Sequence, residues 1–287
     1  MTLRSDASGT DTATLPPRHD EQVGIVEKSR RPRRLDIGWK RPLYGLLGVL
    51  IVLVVWELLA RVGVIDSLLF SQPTDVLAAF GKSFSENHVL TDIRISATEI
   101  VLGLGAAIIV GIPVGIVCGW NKWVYFAVDP WLTILYALPI VALAPLLINV
   151  VGIGLGAKVL LVFLFAVFPI AINTLTGVHA TSNQFLSVAQ VYGASRSMIL
   201  KSVVLPGALP FILTGLRLAG GRALVGMVVA EFTAAEAGVG FRLQVAGATL
   251  QTGLLFALLA LLGLVGVIYS AAIRALDNRL SNWRPGR

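Results

Sequence analysis

The sequence predicts an all-α, polytopic membrane protein with six transmembrane helices. Three observations carry that prediction. Of 287 residues, 56% are hydrophobic and only 14% are charged, against about 25% charged in ordinary soluble domains. Six apolar stretches are of the length, about 20 residues, that a helix needs to cross a bilayer. They are long runs rather than ten-residue alternating segments, which selects helices over a β-barrel. Finally, the basic residues fall unevenly on the two sides that six crossings define.

The chain reads as a polar tail, 1–42, a transmembrane domain, 43–280, and a short C-terminal tail, 281–287. The first tail is rich in Ser, Thr, Asp, Arg and Pro, and carries the basic run SRRPRR at 29–34. It cannot bury a core and is expected to be disordered. It also lacks the apolar h-region of a secretory signal peptide. The basic run reports orientation, with contact to anionic headgroups as a second role.

The spans are expected at about 43–60, 95–120, 129–151, 158–175, 209–230 and 254–273. Between the first two, the stretch from Asp75 to Phe84 has the pattern of a short amphipathic helix lying along the outer surface. Glu57 and Arg61, four residues apart with Glu first, suit an intrahelical pair at the outer end of the first span. Pro113, Pro130, Pro139, Pro145 and Pro169 are candidate kink sites. No internal repeat of the kind found in many secondary transporters stands out.

With the N-terminus inside, six spans bring the C-terminus inside as well. Sixteen Lys and Arg residues then lie inside and five outside, which satisfies the positive-inside rule. Nine of the sixteen precede Pro42. The net charge of +7 therefore reads as a cytoplasmic flank beside a lipid bilayer, with no nucleic-acid partner expected.

Several chemistries are excluded. Cys118 is the single cysteine and lies in an apolar run, so it reads as a small buried apolar residue. His19, His88 and His179 lack metal-ligand spacing, and no cofactor is expected. The glycine-rich GIGLGAKV at 152–159 is not a phosphate loop. A Walker A pattern needs Gly before its Lys and Ser or Thr after it, and Ala157 and Val159 stand there. No cluster of His, Asp, Glu or Cys suits catalysis, so the chain is not expected to be an enzyme.

The inner loop at about 176–208 is the most informative segment. Ser182 or Asn183 can cap a helix ending near Tyr192, and Gly193 can end it in a left-handed turn. Ser195 can cap a second helix, from Arg196 to Val204, and Pro206 restricts Leu205 and helps to end it. The result is a kinked two-helix hairpin. Periodicity alone leaves open whether it is an ordinary amphipathic interfacial hairpin or a docking element.

The loop resembles the EAA motif of ABC importer permeases, which reads Glu-Ala-Ala, three residues, Gly, nine residues, then Ile-x-Leu-Pro. Gly193 fits the glycine, and Val203, Val204, Leu205 and Pro206 fit the ending with one Ile-to-Val difference. Ser187, Val188 and Ala189 stand where Glu-Ala-Ala is expected, so the leading Glu is absent. FSQPTDVLAAF from Phe70, the run from Asp129 to Lys158, and ILTGLRLAGGRALVGMVVAEF from Ile212 are similar to the nitrate, sulfonate, taurine and bicarbonate-type branch of those permeases. Many members have Trp where this chain has Leu224.

The resemblance covers about residues 43–285 and implies a type I ABC importer permease fold in a bacterial cytoplasmic membrane. It implies separate ABC ATPase subunits, an extracytoplasmic solute-binding protein and a second permease copy, with a homodimer favoured. It assigns ATPase coupling to Ala189, Gly193, Ala194, Ser195, Val203, Leu205 and Pro206. The cargo it implies is a small, often anionic solute: a sulfonate, taurine, nitrate, bicarbonate or an aromatic carboxylate, with heterocyclic thiamine-precursor-like cargo in neighbouring branches.

Two charges in the fifth span and one at its outer end are candidate pathway residues. Arg217 either lines an anion path or snorkels to the inner surface. Arg222 shares the first of those readings. Glu231 either pairs with a charge or contacts the binding protein, or is a plain interfacial carboxylate. The competing functional class is a self-contained secondary transporter. It needs intramembrane ion-coupling carboxylates, for which Glu99 and Glu231 are the available residues.

Overall fold

The computed structural model describes residues 40–64, 66, 70–85 and 88–280. The expected N-terminal tail up to residue 39 and the C-terminal tail 281–287 lie outside the described residues. The chain divides into two units, Met1–Leu50 and Ile51–Arg287. Helix α1, Lys40–Arg61, begins in the first and ends in the second. Within the second unit follow α2, Pro73–Ser85, α3, His88–Trp120, α4, Lys122–Ala137, α5, Ile140–Val151, and α6, Leu155–His179. Then come α7, Asn183–Val191, α8, Arg196–Ile199, α9, Leu205–Ala234, α10, Val239–Ala248, and α11, Thr252–Leu280. The structure is all-α among the described residues.

The spans sit where the apolar runs are, usually a few residues longer at each end. Among the described residues, five helices are long and apolar enough to cross a membrane, or six spans if α4 and α5 count as one. The span expected at 129–151, with Pro139 among its candidate kink sites, is not one helix. It starts earlier, at Lys122, and bends by 98° between α4 and α5. The cause is local. Pro139 disfavours helical backbone at the residue before it, and Leu138 is extended, at φ −66°, ψ 139°.

Helix α6 is the centre of the packing and more than half of it is buried. One face, bearing Val162, Ile170, Thr174 and Val178, meets Gly103, Gly111, Gly115 and Gly119 of α3. With the fully buried Ala107 these glycines form a stripe with one small residue every four positions. The other face meets α9. There Gly226 lies against Phe165, and Gly215 against Pro169 and Asn173, while Gly177 of α6 receives Phe211. In lipid there is little hydrophobic gain from joining two apolar helices, so close van der Waals contact through small residues has to supply the association. Helix α11 joins this core through Tyr269, whose hydroxyl donates to the Leu216 carbonyl at 2.8 Å and whose ring covers Gly220.

Outward faces are apolar in the spans. Val52, Val54 and Leu58 of α1, Val101 and Ile109 of α3, and Val267 and Ile268 of α11 are all exposed, as lipid-facing residues would be. Helix α2 follows where the amphipathic stretch was expected. Glu57 accepts from Arg61 Nε at 2.7 Å, as its spacing predicts, and also from Thr74 N at 3.2 Å and Thr74 Oγ1 at 3.1 Å. The same carboxylate thus satisfies a first-turn amide of α2.

The α3–α6 contact leaves no room for a side chain at Gly115. A Cβ there would lie 2.5 Å from Thr174 Cβ and 2.6 Å from the Ala171 carbonyl. Gly115→Val is expected to destabilise the protein by at least the ~1–3 kcal/mol typical of overpacking. Gly105→Val, with nothing near its Cβ position, is the control, and thermal unfolding in detergent reads both.

Candidate functional site: a kinked hairpin and a buried latch

The hairpin forms through local signals. Ser182 caps α7, its side chain accepting from Gln184 N at 3.3 Å. Gly193 adopts φ +74°. Its amide donates to the Gln190 carbonyl at 2.9 Å, and the Ala194 amide donates to the Ala189 carbonyl at 3.0 Å. That pair of bonds is a Schellman motif, which closes the C-terminus of α7 through a left-handed residue. Ser195 then caps α8, accepting from Met198 N at 3.3 Å. The expected break at Pro206 does not occur. Five residues of π-helix, Leu200–Val204, follow α8 and lead into α9. The helix therefore runs on from Arg196 to Ala234. Its wider turn bonds the Leu205 amide to the Leu200 carbonyl, directly before Pro206, which has no amide to bond.

Ile199, Val204, Ala208 and Ile212 pack with Val178 at the end of α6, and Ala189, Ala194 and Val203 lie against them. Phe185, Val191, Tyr192 and Met198 stay exposed. A groove of about 620 Å³ opens beside α7, lined by Phe185, Val188, Val203, Pro206 and Phe211 among others. The seven coupling candidates are thus gathered into one element.

The three charges in α9 do not form one site. Arg217 is half-buried, and its Nε has no hydrogen-bond partner. Arg222 is exposed, donates to Tyr136 Oη at 3.2 Å and lies 5.2 Å from that ring's centre, within cation–π range. Glu231 belongs to neither neighbourhood. It is fully buried, and the reading of it as a plain interfacial carboxylate is replaced by a structural partnership.

That partnership sits at the opposite end of α9 from the hairpin. Helix α10 has no side-chain N-cap of its own. Its opening amides are satisfied from α3 and α9. Gly238 N donates to Asp92 Oδ1 at 2.9 Å, Val239 N to Ser96 Oγ at 2.9 Å and Gly240 N to Glu231 Oε2 at 2.5 Å. Ser96 Oγ in turn donates to Glu231 Oε1 at 2.6 Å. Arg242 Nε pairs with Asp92, and Lys158, in the first turn of α6, pairs with the fully buried Glu99 at 2.8 Å. Three carboxylates face two cations here, and the N-terminal end of α10 supplies partial positive charge toward Asp92 and Glu231. Buried charge is costly and persists when it is paired and hydrogen-bonded. Gly238 and Gly240 are required by the same contact, since a Cβ on either would press on the Glu231 carboxylate.

Sequence reasoning singled out Glu99 and Glu231 without their partners, and gave Asp92, Ser96, Lys158 and Arg242 no such role. A signal was available in the two glycines that follow Glu231 closely and in the spacing of Asp92, Ser96 and Glu99 along one helix face.

Comparison with known proteins gives the family and the fold. Residues 111–282 match the family described as binding-protein-dependent transport system inner membrane component. The chain belongs to that family. It is 35% identical over 267 residues to the taurine transport system permease protein of Escherichia coli (strain K12), covering 90% of this chain and 97% of that one. It is 31% identical to a putative aliphatic sulfonates transport permease protein of Bacillus subtilis (strain 168), covering 98% of each. In fold it resembles the MetNI methionine ABC transporter in an inward-facing conformation, with TM-score 0.56 and 19% identity over 66% of this chain and 95% of that one. It also resembles an amino acid ABC transporter crystallised with histidines, with TM-score 0.59 and 13% identity over 69% and 97%. The protein is a multi-pass ABC importer permease with the type I importer fold.

Three substitutions test the geometry of this permease. Lys158→Met is expected to lower stability by ~3–5 kcal/mol, because it leaves Glu99 buried and unpaired. Adding Glu99→Leu should recover most of that loss in the same thermal unfolding assay. Gly193→Val is expected to cost at least ~1–2 kcal/mol from left-handed backbone, read as increased protease cleavage of the hairpin rather than global unfolding.

Proposed function

We propose that the permease carries a small anionic solute of the sulfonate and taurine class into the bacterial cytoplasm, driven by a separate ABC ATPase. The hairpin at Ala189–Pro206 is the ATPase contact, with Ala189, Gly193, Ala194, Ser195, Val203, Leu205 and Pro206 forming its kinked core. The observation that carries this reading is the continuity of the hairpin with a spanning helix. A docking element that ends in a Schellman turn and runs straight on as α9 can pass rigid-body displacement into the membrane, as a loose loop cannot. The exposed Phe185, Val188 and Met198 offer the apolar contact. Since Ser187 stands in place of a glutamate, shape rather than that charge makes the docking.

In this reading two copies of the chain surround the pathway, with both termini cytoplasmic and the solute delivered by an extracytoplasmic binding protein. The solute class is supported by similarity to the taurine and sulfonate permeases over nearly the whole chain. Arg217 and Arg222 supply positive charge on α9 for an anion. Arg217 is the stronger candidate because its Nε has no partner.

Reconstitution tests the proposal. Liposomes holding the permease, its ATPase and its binding protein are expected to accumulate taurine or a short alkanesulfonate only with ATP. Uptake by the permease alone under an ion gradient would instead favour the secondary-transporter reading. Arg217→Ala is expected to reduce uptake about tenfold or more while membrane insertion, followed by fractionation, is unchanged; the estimate is that of a lost charge-assisted contact of ~1.5–3 kcal/mol.

A further inference from the structure

The hairpin and the latch are joined by one helix. From Arg196 to Ala234 there is no break in the helical backbone. Glu231 thus stands about 50 Å along the helix from Arg196, at ~1.5 Å per residue. At that far end Glu231 holds α10 directly through Gly240 and indirectly through Ser96. Asp92 holds α10 twice, through Gly238 N and Arg242. The first turn of α10 therefore has no independent support. Its amides are bonded to side chains that belong to α3 and α9.

We propose that Asp92, Ser96 and Glu231 are positioning residues that tie α10 to α3 and α9 together, so that displacement of the hairpin along α9 is delivered to α10 at the opposite end of the permease. This rests on the reading that the hairpin receives force from an ATPase. The physical grounds are independent of it. An ordinary N-cap is local and would leave α10 free to move with respect to α3 and α9. Here the capping groups lie 143, 146 and 9 residues away. They are buried, so water cannot replace them when a bond breaks. Strain at the latch must then be relieved by moving α10 as a unit. The Lys158–Glu99 pair fixes α6 to α3 next to this site, which gives the latch a firm base.

The test uses the assembled permease and ATPase in membranes, with no solute. Gln244, exposed on α10, is replaced by Cys as a reporter; the native Cys118 is buried and stays silent. Its labelling rate by a small maleimide is compared before and after ATP is trapped on the ATPase with vanadate. In the otherwise unaltered protein, trapping is expected to change the rate by about fivefold or more, the low end of ordinary allosteric coupling. In Glu231→Gln the change should fall toward none with the same amount of nucleotide trapped. Ser96→Ala, a smaller disturbance that serves if Glu231→Gln fails to fold, should reduce it partway. A purely structural role would lower stability in these variants and leave the trapping-dependent change intact, which would overturn the proposal. Trapped nucleotide with no change at residue 244 in the unaltered protein would also overturn it. Failure of that complex to trap nucleotide would overturn the hairpin–ATPase reading first, and the latch coupling with it.

Discussion

Close approach of α3 and α9 onto the two faces of α6 is the constraint on which the rest of the structure depends. Apolar surface alone does not select partners in a bilayer, because lipid tails compete on equal terms. What selects them here is shape. The glycines and Ala107 on α3 leave a groove that accepts the branched side chains of α6. Gly215 and Gly226 on α9 do the same for Pro169, Asn173 and Phe165. Once these three helices are fixed, the starts of α3 and α6 lie beside the end of α9. That adjacency brings Asp92, Ser96, Glu99, Lys158 and Glu231 together.

The two ends of α9 are built by contrasting means. At the hairpin end, each bond is local: Ser182 to Gln184, Gly193 to Gln190, Ala194 to Ala189 and Ser195 to Met198. The element can therefore keep its shape while its exposed apolar residues meet another surface. At the latch end the bonds cross between helices and are buried. They specify how α10 sits on the core and resist its separate movement. In the proposed coupling, the first serves as a self-contained handle and the second as a firm attachment.

Much of the fold was legible in the sequence. Span positions followed from the lengths of the apolar runs, because a bilayer imposes a minimum length on any crossing helix. The hairpin was legible in its caps and its glycine, since Ser182, Gly193 and Ser195 act on neighbours within a few residues. The Glu57–Arg61 pair followed from spacing, although the added contact with Thr74 did not. Pro139 was legible as a kink site but not the size of the α4–α5 bend, and the uninterrupted passage through Pro206 was not legible at all. Both prolines present the same local restriction. In the first case the preceding residue is extended and the helix turns. In the second, a stretch of π-helix absorbs the missing amide and the helix continues. Packing of Val204 and Ala208 against Val178 favours the continuous form.

The sequence by itself determined that this chain spans a membrane with helices and carries a capped, kinked hairpin, because length, apolarity and capping act over short distances. It also carries the family's motif spacing around Gly193 and Pro206. Only the tertiary structure decided the fate of the charges in the apolar runs. Glu99 and Lys158 are 59 positions apart, Ser96 and Glu231 135, and Asp92 and Arg242 150. No local pattern joins such residues. They become partners because α6 holds α3 and α9 at close range, and because a buried charge in that setting has to find another to remain there.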